Sequence, residues 1–434
     1  MVAVAALLCA AAAGCASGGS GSRSASAAVG TVSRSLPGCT TAAQAGPELR
    51  ASATTMTTLA PLLPGGGAPG PFGVAVTAAG NWGFATSLPV STAAAVPSGS
   101  SPSPPPTASP SGVVSGVDVL RLAPGQAPVL AHTVAIGGVG EGAALSPDGR
   151  LLLVADGAGA VVISVPKAEK GSRPAVLGSL LPPGGSISGN SPSDSAIEVA
   201  ITPDGKFAFV SMEVTDQIEV FDLARAFAHG FNSPGVYIGS IGTDYQPVGL
   251  AVSPDGRWLY ATGFLAGEAS QPGILSAIDV TGAESDPAGS VVSNVAAGCT
   301  PVRVITSSNG SVVWVTAQTS NALLAFSAAR LQAGSANALL ADVRIGRAPA
   351  GLALARGGTL MVVSDSNRYA SGYPVSSLAV VNVADALAGK PALLGYLRAG
   401  RFPRDVAVSA NGSLLLVANF SSGQVEEVNA AALP

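Results

Sequence analysis

Residues 249–263 read GLAVSPDGRWLYATG, in which an apolar segment, a Ser-Pro-Asp-Gly turn and a second apolar segment follow one another. Gly at the end of such a turn supplies the positive φ that a tight hairpin needs, so this stretch predicts two antiparallel strands. Close copies occur at 142–156 (GAALSPDGRLLLVAD) and 199–212 (VAITPDGKFAFVSM). A motif that returns at a regular interval indicates a repeat protein.

Weaker copies extend the repeat along most of the chain, at 73–87, 303–318, 351–365 and 405–419. The seven turn glycines are Gly80, Gly149, Gly205, Gly256, Gly310, Gly358 and Gly412. From the second of these onwards the spacing averages about 53 residues, which leaves room for four short strands per unit and is typical of a propeller blade.

Seven such units predict an all-β fold, a seven-bladed β-propeller with four-stranded antiparallel blades. A parallel α/β sheet would need longer helices between strands, and the helical patterns near 223–228 and 384–389 are short. The last unit has patterns for only three strands, whereas residues 51–60 (ASATTMTTLA) have strand composition and no neighbouring partner. We therefore expect this N-terminal strand to complete the last blade and close the ring, which protects its edges.

The motif resembles the repeat of the YVTN-repeat β-propellers, named for a Tyr-Val-Thr-Asn run in the second strand. Residues 260–263 (YATG) and 314–317 (WVTA) stand at that position here. The resemblance covers about residues 50–430, and the wider group includes the lactonase-like seven-bladed propellers. It implies the fold and one candidate activity, but a single architecture of this kind hosts many functions.

The N-terminus has the pattern of an export signal. Residues 2–13 form an apolar run shorter than the roughly 20 residues that span a bilayer, and small residues follow it. Residues 12–15 (AAGC) resemble the lipobox of bacterial lipoproteins, although no basic residue precedes the run and Ala12 stands where Leu is usual. This predicts a lipoprotein-type signal peptide over 1–15 with lipidation of Cys15, and ordinary secretory cleavage is the alternative. The expected location is the cell envelope, lipid-anchored or secreted.

The remaining sequence divides into a Ser/Gly-rich linker over 16–48 and a single propeller over 49–434. A Pro/Ser-rich insert at 91–112 interrupts the propeller and is expected to be disordered. Cys39 and Cys299 are the only cysteines outside the signal region. An oxidising compartment allows them to form a disulfide, and the alternative is two unpaired cysteines.

Composition argues against several classes of function. A net charge of −4 gives no electrostatic footprint for nucleic-acid binding. His132 lies in an apolar strand and His229 in a helix-like loop, and no Cys-x-x-Cys pair occurs, so no zinc or haem site is expected. The Gly-x-Ser-x-Gly elbow of serine hydrolases is missing as well. We expect no cofactor, except a divalent cation if the protein is a lactonase.

The order of strands within a blade assigns the loops to two faces. The glycine turns between strands one and two lie on one face, called here the turn face. The loops between strands two and three, and those between blades, lie on the opposite loop face. Four of the longest loops belong to the loop face, at 91–112, 182–196, 263–272 and 364–376. Long polar loops on a rigid scaffold commonly carry function, so this is the candidate binding face.

A first set of candidate residues lies seven positions before each turn glycine. The chain has there Gly73, Gly142, Glu198, Gly249, Arg303, Gly351 and Asp405, with Glu141 and Arg404 adjacent. These charges are expected near the mouth of the channel on the loop face. They either bind a small polar ligand or a metal, or form an ion-pair network that seals the channel.

A second set lies in the loop 364–374 (SDSNRYASGYP), which concentrates polar and aromatic side chains. Its members are Asp365, Asn367, Arg368, Tyr369 and Tyr373. Aromatic residues together with Arg favour recognition of a ligand or partner. The alternative is a loop that packs on itself, with Asp and Asn making local turns.

These observations favour an exported, lipid-anchored propeller that acts as a scaffold, binding a protein or a small polar ligand through the loop face. The alternative is a lactonase-like hydrolase of a sugar lactone. Its catalytic candidates are Glu198, Arg303 and Asp405, with a carboxylate as general base or a bound cation activating water. A monomer is expected, because a closed ring needs no partner.

Overall fold

The structure is a computed structural model. It describes residues 32–33, 35–39, 41–50, 54–59, 70–88, 115–187, 195–264, 271–368 and 376–434. The predicted signal peptide with Cys15, and the insert at 91–112, lie outside this part of the chain. Within the described ranges, no helix has both the length and the apolar character needed to cross a membrane.

Seven antiparallel sheets form the blades of a ring. The N-terminal segment contributes β1 (Val32–Ser33) and β2 (Thr54–Thr58). Blades 1 and 2 contain β3 (Gly70–Val76), β4 (Trp82–Leu88), β5 (Ser115–Arg121), β6 (Val129–Ile136), β7 (Gly140–Leu145), β8 (Leu151–Asp156), β9 (Gly159–Ser164) and β10 (Val176–Leu180). Blades 3 and 4 contain β11 (Ala196–Ile201), β12 (Phe207–Met212), β13 (Gln217–Asp222), β14 (Tyr237–Gly242), β15 (Gln246–Val252), β16 (Trp258–Phe264), β17 (Pro272–Asp279) and β18 (Val291–Cys299).

The last three blades follow in the same way. They contain β19 (Pro301–Thr306), β20 (Val312–Ala317), β21 (Ala322–Ser327), β22 (Leu339–Arg344), β23 (Pro349–Ala355), β24 (Leu360–Asp365), β25 (Ser377–Asn382), β26 (Leu393–Arg398), β27 (Pro403–Val408), β28 (Leu414–Asn419) and β29 (Gln424–Asn429). Within each blade, neighbouring strands pair in chain order. The first strand of each blade contacts that of the next, and β27 contacts β3, which confirms the predicted seven-bladed ring.

Blade 7 closes the ring as predicted. Its first three strands come from the C-terminus, and β2 supplies the fourth by pairing antiparallel with β29, with Thr54 opposite Val428. The closing strand thus pairs with β29 from Gln424 to Val428 and covers most of its free edge. Both ends of the propeller are therefore held in one sheet.

The turn glycines also have the conformation that the motif predicts. All seven have positive φ, from 68° at Gly149 and Gly412 to 87° at Gly358. In the turn of blade 4, the Asp255 carboxylate accepts hydrogen bonds from Ser253 Oγ at 2.5 Å and from the Arg257 N–H at 3.1 Å. These bonds lower the pKa of Asp255. The Asp of this motif therefore serves turn formation, as the sequence indicates.

A hydroxyl group on the second strand links neighbouring blades near the loop face. Thr86 Oγ1 accepts a hydrogen bond from the Gly73 N–H at 2.8 Å and donates one to the Glu141 carbonyl of the next blade at 2.6 Å. Thr262 and Thr316, from the YATG and WVTA segments, make the same two kinds of hydrogen bond in blades 4 and 5. The Thr of the motif thus connects the inner strands of adjacent blades.

Short helices join the third and fourth strands on the turn face. They are α1 (Val165–Glu169), α2 (Leu223–His229), α3 (Val280–Ala283), α4 (Ala328–Gln332) and α5 (Val383–Leu387). The patterns near 223–228 and 384–389 correspond to α2 and α5. The sequence patterns did not predict α1, α3 and α4, which are only four or five residues long, although α5 is no longer than α1 and α4.

The described residues of 32–50, called here the N-terminal strap, lie mostly within the segment expected to be a Ser/Gly-rich linker over 16–48. Within it, β1 pairs with β22 and adds a fifth strand to blade 5. Backbone groups at an open sheet edge gain partners in this way. Such pairing is a tertiary effect, and the Ser/Gly-rich composition gives no sign of it.

The strap then continues past the outer strands of blades 4 to 6. Cys39 is disulfide-bonded to Cys299 at the end of β18, with the two Cα atoms 5.1 Å apart. Further along, the Leu49 N–H donates to the Tyr396 carbonyl at 2.7 Å. The segment before the closing strand is thereby tied to three blades.

Candidate functional site

Charged side chains from three blades meet at the mouth of the channel on the loop face. Arg303 of blade 5 lies between Glu198 of blade 3 and Asp405 of blade 7. Its Nε is 3.1 Å from a Glu198 carboxylate oxygen and 3.8 Å from an Asp405 oxygen. The three side chains are only 11%, 13% and 15% exposed, respectively. Because these blades are not neighbours, the contacts run across the ring axis.

Glycines on the neighbouring blades make room for these charges. The facing pairs are Gly142 with Glu198, Gly249 with Arg303, and Gly351 with Asp405. A Cβ on Gly142 would lie 2.6 Å from Glu198 Oε1, and one on Gly351 would lie 2.7 Å from Asp405 Cα. Glycine and charged residues therefore alternate at this register position because of packing. Where one blade has Gly, the charged side chain of the next blade has room to reach the ring axis.

Asp405 also ties the ring at the junction of its first and last blades. One carboxylate oxygen accepts a hydrogen bond from the Val74 N–H of blade 1 at 3.0 Å, while the other faces Arg303. The same carboxylate thus stabilises ring closure and orients the guanidinium. A substitution at Asp405 would affect both.

Two buried groups at the mouth have polar atoms without a hydrogen-bond partner among the described residues. Arg303 Nε and Nη2 have none, since the close approach to Glu198 does not align the N–H with the oxygen. Glu141 is 3% exposed, and its Oε2 is also unpaired. Buried polar atoms of this kind are unusual in folded proteins and are costly.

Burial changes the protonation of the carboxyl groups at the mouth. It raises the pKa of Glu198 to about 7, against the opposing charge of Arg303, and raises the pKa of Glu141 to about 8, against that of Arg404. Burial disfavours the charged form of Arg303, but the charges of Glu198 and Asp405 more than offset this and raise its pKa. Near neutral pH, the mouth therefore combines a charged guanidinium with a Glu198 carboxyl group close to its titration midpoint and a Glu141 carboxyl group that mostly holds its proton. Perturbed groups in a recess are candidates for function.

Arg404 lies among aromatic rings beside this network. Its guanidinium carbon is 3.4 Å from the ring centroid of Phe72, 5.7 Å from that of Phe402 and 5.9 Å from that of Phe420. Stacking on a ring face is a favourable cation–π geometry. Burial, followed by the charge of Arg368, lowers the pKa of Arg404 to about 9. No hydrogen bond or ion pair joins the Arg404 side chain to another described residue.

The structure separates the members of the predicted cluster at 364–374. Asp365 is fully buried at the end of β24, where it accepts a hydrogen bond from Ser377 Oγ at 3.2 Å and where burial raises its pKa. Gly346 lies so close that a Cβ there would meet the Asp365 carboxylate at 2.3 Å. Asp365 is therefore enclosed and does not face the loop surface.

The other members of that cluster differ in position. The Asn367 backbone has a φ of 51°, and its N–H donates to the Arg347 carbonyl at 3.1 Å. Arg368 approaches the channel mouth, with its guanidinium carbon 5.7 Å from the Phe402 ring centroid. Tyr369 and Tyr373 lie outside the described residues.

Four residues at the mouth were not among those predicted from the sequence, namely Glu213, Phe72, Phe402 and Phe420. Burial raises the pKa of Glu213, which interacts with the charges of Arg404 and Arg368. Glu213 and Phe420 share a signal that was available, since each lies eight residues after its turn glycine, where a second strand has just reached the loop face. Phe72 lies eight residues before its turn glycine, in the same register as Glu141 and Arg404, and Phe402 lies two residues before Arg404 in the chain. Only the assembled ring, however, brings Phe72 of blade 1 to Arg404 of blade 7.

Other parts of the described structure offer weaker candidates. Among the described residues, no group of three or more His, Cys, Asp or Glu side chains is placed to hold a metal ion. Two surface depressions, of about 520 and 200 Å³, lie on the turn face, and hydroxyl groups such as those of Ser308 and Ser311 contribute to their lining. They are far from the charged network, so we place the candidate site at the channel mouth.

Comparison with known proteins supports the architecture. No protein-family model and no curated protein matches the chain. Among solved structures, it is similar to hydrazine synthase of Kuenenia stuttgartiensis, with a TM-score of 0.58 and 16% sequence identity over 84% of this chain and 96% of that chain. Similarity at this low identity establishes the fold alone. The chain is a seven-bladed β-propeller, and its likeness to the YVTN-repeat and lactonase-like groups stays a resemblance.

Proposed function

We propose that this protein is a binding propeller whose ligand site is the mouth of the channel on the loop face. The observation that carries the proposal is the buried guanidinium of Arg303, whose Nη2 lacks a hydrogen-bond partner in the described structure while its Nε is engaged in ion pairs, together with the unpaired Glu141 Oε2. A small polar ligand with donor and acceptor atoms would satisfy these groups. Leaving them unpaired costs free energy, so their retention is better explained by binding than by folding.

Ligand binding by the purified protein tests this proposal. Calorimetric titration with sugars, sugar lactones, amino acids and organic acids should identify at least one class that binds. Arg303→Lys keeps the charge but loses the planar fork, so it should bind that class at least about tenfold more weakly. Arg257→Lys, at an exposed turn-face position, is the matched control. Failure of every class, or equal affinity in the Arg303 variant, would overturn the proposal.

A lactonase-like hydrolase is the second candidate, and one observation favours it. Burial raises the pKa of Glu198 to about 7, which suits a general base at neutral pH. In this case Glu198 would accept a proton from water, and Arg303 would stabilise negative charge that develops on the lactone. Asp405 would then orient Arg303 through their ion pair.

Hydrolysis of sugar lactones, measured with and without a chelator, decides between the candidates. The enzyme hypothesis expects turnover that Glu198→Gln abolishes while the melting temperature stays near that of the wild type. Turnover that survives this substitution would reject Glu198 as the base. If no lactone is hydrolysed, the binding function remains as the proposal.

We also propose export, with lipid attachment at Cys15. The Cys39–Cys299 disulfide supports it, because such bonds persist in oxidising compartments. In a bacterial host, the protein should label with a fatty-acid precursor and sediment with membranes. Cys15→Ser should abolish both, whereas export without labelling would favour ordinary secretory cleavage.

A further inference from the structure

We infer that the channel mouth contains an oxoanion subsite, in which Arg404 and Arg368 hold a carboxylate or phosphate group of the ligand against a wall of Phe side chains. The inference rests on the proposed binding function and adds the chemical class of the ligand. It concerns residues beside the Glu198–Arg303–Asp405 network.

Arg404 is placed so that its N–H donors can reach a ligand. Its guanidinium stacks on Phe72, with 3.4 Å between the guanidinium carbon and the ring centroid. Stacking occupies one flat side of the group and leaves its N–H donors, which lie in the plane, directed away from the ring. A planar fork of this kind matches a carboxylate or phosphate, which it can bind through two parallel hydrogen bonds.

Two guanidinium groups share one aromatic neighbour. The guanidinium carbons of Arg404 and Arg368 each lie 5.7 Å from the ring centroid of Phe402. Arg368 comes from the loop after β24, and Arg404 from β27 on the next blade. The like charge of Arg368 lowers the pKa of Arg404, so the two groups disfavour each other. An anion between them would replace this repulsion by two attractive contacts.

The nearby acids form no ion pair with Arg404 or Arg368 among the described residues. Glu141 and Glu213 act on Arg404 through their charge, yet neither forms an ion pair with it in the described structure. Burial raises the pKa of both, to about 8 for Glu141. A protonated Glu141 adds no negative charge at neutral pH. The mouth therefore retains positive charge that is available to a ligand.

The surroundings strengthen any such contact. Phe72 is 2% exposed, and Phe420 packs against it with the ring centroids 6.3 Å apart. Phe402 in turn packs on Phe420, with a centroid distance of 5.6 Å. A wall of three rings keeps water away from one side of Arg404, and charge-assisted hydrogen bonds are stronger where water is excluded. The same wall suits an apolar part of the ligand next to its anionic group.

Calorimetric titration at pH 7 and low salt tests the subsite directly. The probes are inorganic phosphate, the dicarboxylate malate, and glucose as a neutral polar molecule. We expect phosphate or malate to bind the wild type, and Arg404→Gln and Arg368→Gln each to weaken this binding by at least about tenfold. Arg257→Gln on the turn face is the control and should bind like the wild type.

A second variant distinguishes a specific loss of anion binding from a loss caused by misfolding. Arg404→Lys keeps a cation but not the fork, and should bind the anion more weakly than the wild type and more tightly than Arg404→Gln. Melting curves of all variants should show a single transition near that of the wild type. If Arg404→Gln binds the anion as the wild type does, the inference is wrong.

The outcomes also separate this inference from the proposed function. Binding of glucose with no binding of either anion would overturn the oxoanion subsite and leave a ligand site at the mouth. Absence of binding by every probe, and by the wider panel described above, would overturn both. Binding of phosphate alone would indicate a phosphorylated ligand, and binding of malate alone would indicate a carboxylate.

Discussion

Glu198, Arg303 and Asp405 reach one another because glycines stand at the matching position on neighbouring blades. The inner strands are closest together near the axis, so only some of the seven blades can place a side chain there. The chain meets this steric limit by placing charged residues on blades 3, 5 and 7 and Gly on the blades between them. At the scale of single residues, the site thus depends as much on the absence of Cβ atoms as on the charged groups.

Gly142→Ala tests this dependence. The new Cβ would lie 2.6 Å from both Glu198 Oε1 and the Ile197 carbonyl, so the neighbouring blade must shift. We expect the free energy of unfolding to fall by about 1–3 kcal/mol in urea titrations. Gly242→Ala is the control, because nothing lies within 4 Å of its Cβ position, and it should change stability by less than about 0.5 kcal/mol. Equal effects of the two changes would contradict the packing argument.

Glu141 predicts a dependence of stability on pH. Burial raises its pKa from 4.5 to about 8 in the folded protein, in a setting that also includes Arg404, Glu213, Arg303 and Asp156. Between these two values the folded state binds a proton that the unfolded state releases. Stability is therefore lost as the pH rises through this window.

Replacing Glu141 by Gln removes this titration. In urea titrations at pH 5, 6, 7 and 8, Glu141→Gln should lose less stability with rising pH than the wild type. Asp244→Asn, at an exposed position, should keep the wild-type slope. Identical slopes for wild type and Glu141→Gln would show that Glu141 does not titrate in this range.

At the scale of strands, the repeated motif encodes contacts between blades as well as hairpins. The Ser-Pro-Asp-Gly turn joins the first two strands of a blade through its own hydrogen bonds. The Thr in the second strand acts over a longer range, because its hydroxyl bridges the inner strands of two blades. The resemblance to the YVTN repeat therefore has a physical basis in this chain: the number of residues between the turn glycine and the bridging Thr stays constant.

Thr86→Val tests the hydroxyl bridge with little change of shape. It removes the acceptor for the Gly73 N–H and the donor to the Glu141 carbonyl, and leaves both backbone groups buried. The expected loss is about 1–3 kcal/mol of unfolding free energy, measured by urea titration. Thr281→Val, at an exposed position on α3, should be nearly neutral. A neutral Thr86 variant would show that the bridge is not needed.

At the scale of the whole molecule, one N-terminal segment performs two tasks. The strap lies against the outer strands of blades 5 and 6, and the strand that follows it completes blade 7. The Cys39–Cys299 disulfide fastens this segment to blade 4, over a sequence separation of 260 residues. The ring is thus closed by hydrogen bonds in one blade and reinforced by a covalent bond elsewhere.

Removing the disulfide separates these two tasks. The double variant Cys39→Ser, Cys299→Ser should lose about 2–5 kcal/mol, because a long loop in the unfolded chain is no longer restrained. It should remain a folded propeller by circular dichroism, since β2 still completes blade 7. A truncation that also removes residues 1–59 should fail to give a cooperative melt. If the truncated chain melts like the double variant, the closing strand is not required.

The blade number, the turn glycines, the closing strand and the positions of Glu198, Arg303 and Asp405 all followed from the amino-acid sequence. The alternation of apolar and polar residues along a strand and the choice of turn residues are both local. Strands and turns can therefore be recognised from their regular spacing in the sequence, without knowledge of tertiary contacts. The short helical patterns near 223–228 and 384–389 likewise come from local sequence.

The contacts between charged and aromatic groups at the channel mouth depend on the closed ring. Arg303 meets Glu198 and Asp405 across the axis, about a hundred residues away in each direction, and Arg404 meets Phe72 from the other end of the propeller. The burial of Asp365 and the docking of the strap likewise depend on segments that are distant in the chain. No local pattern encodes such contacts, because they exist only once seven blades of suitable width have closed around a common axis.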